Sequence, residues 1–337
     1  MSSLPIITGS YPDDVCGVGD YTRSLVSALE NKGINISLFY KKDWSITRLP
    51  GYLRLIKETG APVVNIQYPT EGYGYSILPQ LLCCCLRKMS TVVTLHEFCR
   101  KSASGKSATF LFFLTADWIV FTTDKERDYA CRFAPWLRKR SSVIPICSNI
   151  PMRPPECPET DVVYFGLIRP HKGLEQFASV MERLASRRTL ITRVVGQIVS
   201  GYEKYAAEIL DRLKSLGAEI ILGRTPEEVS LLLSRARVAL LPFPDGMSSR
   251  RGAALAAMGN GALLVTTTSA DEPEMFKGIC LMGATEEELA VATLRALECR
   301  DADESIRRAG QIFARDLSWS SVGSSYMAVI NRLGVRL

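Results

Sequence analysis

The sequence repeats one local pattern along most of its length: a short apolar run, a loop, and then a segment with apolar residues at helical spacing. The stretch Val162–Phe177 shows the pattern most clearly. Its apolar run stops at Gly166, its loop carries Arg169 and Lys172, and an amphipathic segment follows. This order predicts a strand, a turn and a helix. Because strands and helices alternate in this way, we expect parallel, doubly wound sheets.

The length of 337 residues predicts two domains of ordinary size. Residues 151–160 contain four prolines in ten positions and no apolar periodicity, which is typical of a linker. The strand–loop–helix pattern fills residues 1–150 before it and 161–316 after it. We therefore predict an α/β protein with two Rossmann-like domains that face each other across a cleft. Loops from the carboxyl ends of both sets of strands would line that cleft.

Composition excludes several classes of protein. Hydrophobic residues make up 47% and charged residues 23% of the chain, as in a globular α/β protein with large cores. The ten cysteines form no C-x-x-C pair, so neither a zinc site nor a disulfide framework is indicated. The amino terminus shows no secretory signal, which favours reduced thiols and a cytoplasmic location. The longest apolar window, Ala108–Phe121, is too short to span a membrane and contains Asp117.

The positive charge lies in the first half of the chain. Residues 1–150 hold 18 Lys and Arg against 12 Asp and Glu, whereas residues 151–337 hold 23 of each. Four basic clusters could contact an anionic acceptor or a membrane surface, or could be solvated: Lys41-Lys42, Arg87-Lys88, Arg100-Lys101 and Arg138-Lys139-Arg140. The predicted helix Ile77–Met89 could rest on such a membrane, or could be a core helix. No nucleic-acid-binding motif accompanies these clusters.

The loop with Arg169 and Lys172 follows a predicted strand and precedes a predicted helix. Ligands of open α/β sheets bind at the carboxyl ends of the strands. A helix amino terminus offers free N–H groups and the positive end of its dipole, and the two side chains add full charges. A diphosphate is the ligand that fits this combination. The alternative is that both cations are solvated loop residues.

The two histidines, His96 and His171, each follow a predicted strand, which points to the ligand-binding edge. The segment Gly17-Val18-Gly19 lacks the third glycine of the dinucleotide fingerprint, since position 22 is Thr. We interpret it as a flexible loop ahead of a helix, where the backbone can approach a ligand.

The loop 242–252 combines an acid, two hydroxyls and two guanidinium groups between a strand and a helix. One of Ser248 and Ser249 is expected to cap that helix. Capping does not account for Asp245, Arg250 and Arg251, so we predict that this loop recognises an anion or a sugar.

Seven segments together resemble one family, the retaining GT-B glycosyltransferases of the family four type. They occur in the family's order over nearly the whole chain: GVGDYTRSLVSALENKG (17–33), VTLHEF (93–98), VIPICSNI (143–150), FGLIRPHKGLEQF (165–177), GRTPEEVSLLLSRARVALLPF (223–243), AAMGNGALLVTT (256–267) and LSWSSVGSSYMAVI (317–330).

The resemblance implies a GT-B fold whose last segment, 317–337, crosses back to the first domain. It implies a nucleotide diphosphate sugar as donor, no cofactor and no metal. Arg169, Lys172 and His96 are then the expected catalytic residues. The expected contacts to the donor diphosphate and sugar are Gly17, Val18, Gly19, Asp245, Gly246, Met247, Ser248, Ser249 and Arg250. The expected contacts to the nucleotide are Gly166, Gly196, Gly223 and Arg224.

The chain departs from the family at one point. The family usually carries two glutamates eight residues apart in the sugar loop, and the matching positions here are Ser248 and Ala256. Alanine cannot bind ribose hydroxyls as the second glutamate does. We infer that Asp245, Ser248 and Ser249 take over the sugar contacts, with Arg250 or Arg251 near the phosphate or the acceptor.

The function expected from these residues is transfer of a sugar, with retention, to a glycan, a lipid-linked or a small-molecule acceptor. A front-face reaction is expected because no carboxylate nucleophile is evident. The missing acids leave a second hypothesis, a non-catalytic protein that binds a sugar nucleotide or a glycan. A sugar-nucleotide epimerase ranks last, because its cleft should hold several acids and histidines. No nucleic acid is expected as a partner, and peripheral contact with a membrane stays open.

Overall fold

The computed structural model describes residues 3–12, 14, 16–99, 101–269, 273–298 and 303–337. Arg100, a member of one basic cluster, lies outside them. The chain divides into two compact units: residues 1–146 with 319–337, and residues 147–318. Each unit has its own parallel sheet of six strands and its own hydrophobic core. The predicted α/β fold class with two doubly wound sheets is therefore confirmed.

The first unit alternates strands and helices from its first residues. Its elements are β1 (Leu4–Thr8), α1 (Gly17–Glu30), β2 (Ile36–Tyr40), α2 (Leu49–Glu58), β3 (Val63–Tyr68), α3 (Leu78–Cys85), β4 (Ser90–Leu95), α4 (Ala103–Thr115), β5 (Trp118–Phe121), α5 (Asp124–Phe133) and β6 (Ser141–Val143). The strand order is β2-β1-β3-β4-β5-β6, and all neighbours are parallel. The order reverses direction between β1 and β3.

The second unit repeats this architecture. Its elements are β7 (Thr160–Ile168), α6 (Leu174–Ala185), β8 (Thr192–Ile198), α7 (Glu203–Ser215), β9 (Glu219–Leu222), α8 (Pro226–Ser234), β10 (Ala236–Leu241), α9 (Gly252–Gly259), β11 (Leu263–Thr267), α10 (Pro273–Phe276), β12 (Leu281–Gly283), α11 (Glu286–Glu298) and α12 (Glu304–Asp316). The order β12-β11-β10-β7-β8-β9 reverses between β7 and β10. Open sheets bind ligands at such reversal points, beside the carboxyl ends of the strands.

Three glycines lie inside elements where the sequence predicts loops or strand ends. Helix α1 begins at Gly17, so the 17–19 segment forms its first turn rather than a flexible loop. A Cβ at Gly19 would lie 3.3 Å from backbone atoms of Ser10 and Tyr11, so the helix packs closely on the chain after β1. Strand β7 continues past Gly166 and β8 past Gly196, because the two glycines are paired in register. Tertiary contact thus overrides the low helix and strand propensity of glycine.

The proline-rich segment before β7 is hydrogen-bonded within the second unit. The backbone N–H of Arg153 donates to Asn260 Oδ1 (3.1 Å), and Asn260 Nδ2 donates to the carbonyl of Pro151 (3.1 Å). The N–H of Glu156 donates to the carbonyl of Ser234 (2.9 Å). These bonds make residues 151–156 an ordered part of that unit.

The C-terminal helix α13 (Trp319–Arg332) belongs to the first unit and packs against α1. Its Tyr326 is 1% exposed. The Tyr326 hydroxyl lies 2.7 Å from Thr94 Oγ1 and 3.1 Å from the Tyr21 hydroxyl. Burial raises the pKa of Tyr326 to about 12, so the phenol keeps its proton and can donate one of these bonds. The helix is therefore attached to the sheet by buried polar bonds as well as apolar contacts.

Replacing Tyr326 with Phe should lower the free energy of unfolding by about 1–3 kcal/mol, because it leaves buried hydroxyl partners unsatisfied. Tyr75 is fully exposed, so Tyr75→Phe is the matched control and should change stability by less than about 0.5 kcal/mol. Urea unfolding followed by circular dichroism measures both. Equal stability of Tyr326→Phe and the wild type would contradict this attachment.

Candidate functional site

The loops after β7 and β10 meet at the reversal point of the second sheet. Gly173 ends the first loop with φ +83°, and a Cβ there would lie 1.6 Å from the carbonyl oxygen of Pro242. Only glycine permits both this backbone conformation and this approach. Tyr164 holds the same loop in place, because its hydroxyl donates to the carbonyl of Lys172 at 2.8 Å. The two loops are therefore held together by contacts to the backbone that do not involve their charged side chains.

Arg169, Lys172 and Arg251 form a group of positive charges that we call the cationic cluster. Lys172 is half-buried. Burial lowers the pKa of Lys172 most, and the charges of Arg169 and Arg251 lower it further, against an opposing effect of Asp245. The neighbouring cations thus add to the effect of burial in disfavouring the charged form of Lys172. A bound anion would reverse that effect.

Arg169 and Lys172 form no ion pair with a carboxylate in the described part of the chain. Among the residues that the structure describes, no carboxylate oxygen lies within 4 Å of a side-chain nitrogen of either residue. Helix α6 begins directly after them and Gly173 caps it without a side-chain hydrogen bond. Backbone donors and two cations therefore converge at one helix amino terminus, which suits a diphosphate.

Arg251 is fixed more firmly than the other two cations. It forms an ion pair with Asp245, donates to the carbonyl of Gly246 at 3.2 Å, and lies 4.6 Å above the ring of Phe243. The sequence analysis predicted that either Arg250 or Arg251 lies near the phosphate or the acceptor. The structure brings Arg251 to Lys172, and the repeated arginine was the only signal in the sequence.

The rest of the 242–252 loop differs in part from expectation. Helix α9 has Arg251 at its N-cap with no side-chain cap bond, so the predicted serine cap is wrong. The loop instead closes through a backbone bond from the N–H of Arg251 to the carbonyl of Ser248 (3.0 Å). Ser248 is half-buried and Ser249 is buried. Met247 is 1% exposed and its side chain packs in the core of the second unit. Its contact with a donor stays a prediction.

The predicted nucleotide contacts lie together at the ends of β7, β8 and β9. A Cβ at Gly196 would be 2.2 Å from the carbonyl oxygen of Gly166. The N–H of Gly223 donates to the carbonyl of Gly196 at 3.1 Å. Arg224 pairs with Glu228 at 3.1 Å on the surface. Their binding of a nucleotide stays a prediction.

His96 lies in the first unit, directly after β4, and is 7% exposed. Its Nε2 is 2.9 Å from Gln67 Oε1, and its ring meets that of Tyr21 edge-on at 4.7 Å. An amide oxygen can only accept, so Nε2 carries the proton. Tyr21 belongs to α1, whose first turn holds Gly17, Val18 and Gly19. The structure thus joins His96 to the helix that begins with the glycine segment.

A polar network holds this histidine in place, and no feature of the sequence indicated it. Gln67 Nε2 donates to Asn65 Oδ1 (2.5 Å) and to Thr94 Oγ1 (3.2 Å). Thr94 in turn contacts Tyr326. Because these bonds fix the amide of Gln67, they also fix the imidazole. The residues come from strands β3 and β4 and the C-terminal helix, so only the folded unit assembles them.

Replacing Gly173 with Ala should destabilise the second unit by about 3–4 kcal/mol, because left-handed strain adds to overlap with Pro242. Gly201 is the matched control: its φ is +87° and nothing lies within 4 Å of its Cβ position. Gly201→Ala should cost only the strain, about 1 kcal/mol. Thermal unfolding separates the two, and equal losses would contradict the close approach of the loops.

Part of the second unit matches a known protein family. Residues 159–299 match the family model described as Glycosyl transferases group 1, a match that covers less than half of the chain. No curated protein sequence matches the chain.

Solved structures are similar over nearly the whole chain. Sucrose-phosphate synthase from Thermosynechococcus elongatus is 17% identical, with a TM-score of 0.72 and 99% of each chain covered. Anabaena HepE, solved in complex with UDP and glucose, is 13% identical, with a TM-score of 0.72 and coverage of 98% of this chain and 100% of that one. A glycosyltransferase from Rickettsia africae is 11% identical, with a TM-score of 0.75 and 99% of each chain covered. These identities establish the fold alone. The second unit carries a glycosyl transferases group 1 domain, and the chain as a whole has the GT-B fold.

Proposed function

We propose that the protein is a glycosyltransferase that moves a sugar from a nucleotide diphosphate sugar to an acceptor hydroxyl. The observation that carries the proposal is the cationic cluster at the reversal point of a sheet in a glycosyl transferases group 1 domain. Its charges converge on a helix amino terminus, where a departing diphosphate needs them. The complex of the similar HepE with UDP and glucose supports a nucleotide sugar as the donor.

The reaction proposed is front-face transfer with retention. The acceptor oxygen forms a bond to the anomeric carbon on the face from which the diphosphate leaves. The bond between that carbon and the phosphate oxygen breaks, and the acceptor proton passes to the leaving phosphate. Asp245, the carboxylate beside the cluster, forms an ion pair with Arg251 and is therefore a poor nucleophile.

Arg169 and Lys172 would neutralise the charge that develops on the leaving diphosphate, with no metal needed for that role. Arg251 would add a third charge from the opposite loop. His96, held with its Nε2 proton toward Gln67, would contact the transferred sugar or the acceptor hydroxyl. The acceptor is proposed as a glycan, a lipid-linked molecule or a small molecule.

One observation favours a second candidate, a protein that binds a sugar nucleotide without turning it over. Ala256 is fully buried in the core of the second unit and Ser248 carries no charge. The ribose and sugar contacts expected of two glutamates are therefore absent at these positions. Tight binding of a nucleotide sugar with neither hydrolysis nor transfer would favour this candidate.

A panel of nucleotide sugars tests the proposal directly. The thermal unfolding temperature is measured with each compound, and the best donor is then assayed for hydrolysis and for transfer to mixed acceptors. We expect a thermal shift with one donor and slow hydrolysis of that donor. No shift with any donor would contradict the proposal.

Arg169→Ala and Lys172→Ala should each lose about 2–4 kcal/mol of transition-state stabilisation, because each removes a charge from the leaving diphosphate. The measurement is kcat for donor hydrolysis or transfer. Arg188→Ala and Lys277→Ala remove exposed cations of the same unit and should leave kcat unchanged. Full turnover in either cluster variant would make the assignment wrong.

UDP binding should take up protons at alkaline pH. The pKa of Lys172 lies below its usual 10.5 in the free protein, and a bound diphosphate should raise it. Protons are taken up between these two values, and affinity falls as pH rises through the lower one. Calorimetry in buffers of different ionisation enthalpy measures this uptake. Lys172→Arg stays charged and should remove it, so equal uptake in both proteins would contradict the prediction.

A further inference from the structure

The second half of helix α4, Phe110–Leu114, is apolar on all sides, yet only one side of it is buried. Thr109, Phe112 and Phe113 lie in the core of the first unit. Leu114 is 55% exposed and Phe110 is half-buried. A single exposed leucine is ordinary, but a continuous group of exposed apolar side chains marks an interaction surface. The neighbours of α4 decide which of these applies.

The end of α5 and the turn after it extend the same surface. Phe133 is 54% exposed and Trp136 is 40% exposed. The Trp136 ring lies 6.1 Å from that of Phe110, and its indole N–H donates to the carbonyl of Phe113 at 3.0 Å. Phe133 joins the group through Tyr129, at 5.3 Å. Tyr129 contacts Phe98, and Phe98 is connected through Phe113 to Phe110. The exposed rings of both segments therefore belong to one aromatic cluster whose centre is buried.

The two segments that form this surface carry only positive charges, and the nearest acids in the chain, Asp117 and Asp128, lie just outside them, with Asp117 bonded to Thr91 and Asp128 near Arg127. Residues 101–116 and 129–140 contain no Asp or Glu, and their cations are Lys101, Lys106, Arg132, Arg138, Lys139 and Arg140. The acids of α5 lie in its first half. Glu126 is buried and accepts the backbone N–H groups of Phe98 and Cys99, while Asp124 lies 2.9 Å from Arg127. We name Phe110, Leu114, Phe133, Trp136, Arg138 and Lys139 the aromatic–basic face.

We propose that the aromatic–basic face binds the anionic surface of a lipid bilayer. Its apolar side chains can enter the headgroup region, while Arg138 and Lys139 meet anionic headgroups. Trp136 suits this position, because its one polar atom is already bonded to the protein and its ring is apolar. Apolar contact and clustered cations are the two signals that stable peripheral binding needs.

The charge of the face argues against a second copy of the chain as its occupant. Two copies would bring the same cations together, which opposes association. The other surface considered from the sequence, the predicted helix Ile77–Met89, is mostly core. Helix α3 has only eight residues, and Leu78, Pro79, Gln80, Leu82 and Cys83 are buried. The membrane surface is thus assigned to α4, α5 and the turn at 135–139.

Vesicle flotation tests the proposal with the full chain and without any donor, so its result is independent of glycosyl transfer. The vesicles are phosphatidylcholine mixed with phosphatidylglycerol, or phosphatidylcholine alone. We expect binding to the mixed vesicles that weakens as salt is raised. The double variants Arg138→Gln with Lys139→Gln, and Leu114→Ser with Phe133→Ser, should each lower the partition coefficient about tenfold or more.

Two matched variants serve as controls. Arg87→Gln with Lys88→Gln removes another exposed pair of cations of the first unit, and Ile191→Ser with Ile312→Ser removes exposed apolar side chains of the second. Both should float as the wild type does, and circular dichroism checks that every variant folds. The proposal is overturned if the wild type does not float, or if the controls lose as much binding. It is also overturned if the same variants instead abolish self-association or binding of a single-stranded oligonucleotide.

Discussion

The contact between Gly173 and the carbonyl of Pro242 determines the candidate site of the second unit. It joins the loop after β7 to the loop after β10, the two strands between which the sheet order reverses. A side chain at position 173 would push these loops apart. The absence of a Cβ there brings Arg169 and Lys172 to the loop that carries Arg251. The site is thus built from a backbone approach, and its charges follow from that approach.

The three neighbouring cations repel one another, and the structure shows that this repulsion acts on Lys172. The pKa of Lys172 is lowered by burial and by the two arginines. Asp245 offsets part of the repulsion through its ion pair with Arg251. An anionic ligand would reduce the repulsion that remains between the cations. Because these cations repel one another, a bound diphosphate is expected to stabilise this site more than it would stabilise solvated surface cations.

Much of the fold could be predicted from the sequence, because the spacing of apolar residues and the positions of glycine and proline are local signals. The strand, turn and helix predicted within Val162–Phe177 are observed as β7, the loop that carries Arg169 and Lys172, and the first turn of α6. The boundaries that moved involve Gly17, Gly166 and Gly196. Helix α1 packs through Gly19 on the backbone of Ser10 and Tyr11, and Gly196 lies against the carbonyl of Gly166 in the neighbouring strand. The short α10 and β12 were not predicted, because an element of three or four residues is too short to show a periodic spacing of apolar residues. Local pattern thus gave the elements but not the contacts between them.

The candidate site was predicted in its residue types more than in its geometry. Arg169 and Lys172 stand out in one loop, but which strands are neighbours cannot be read from a single sequence. For that reason Arg251 could not be separated from Arg250. The network under His96 depends on Asn65, Gln67 and Tyr326, which are far apart in the chain. Polar residues within strands give no local sign that they will meet.

The most direct measurement is the crystal structure of the chain with UDP bound. The account predicts that oxygens of the β-phosphate lie within hydrogen-bond distance of the Arg169 guanidinium and the Lys172 ammonium, beside the first turn of α6. A diphosphate bound away from both side chains would contradict it.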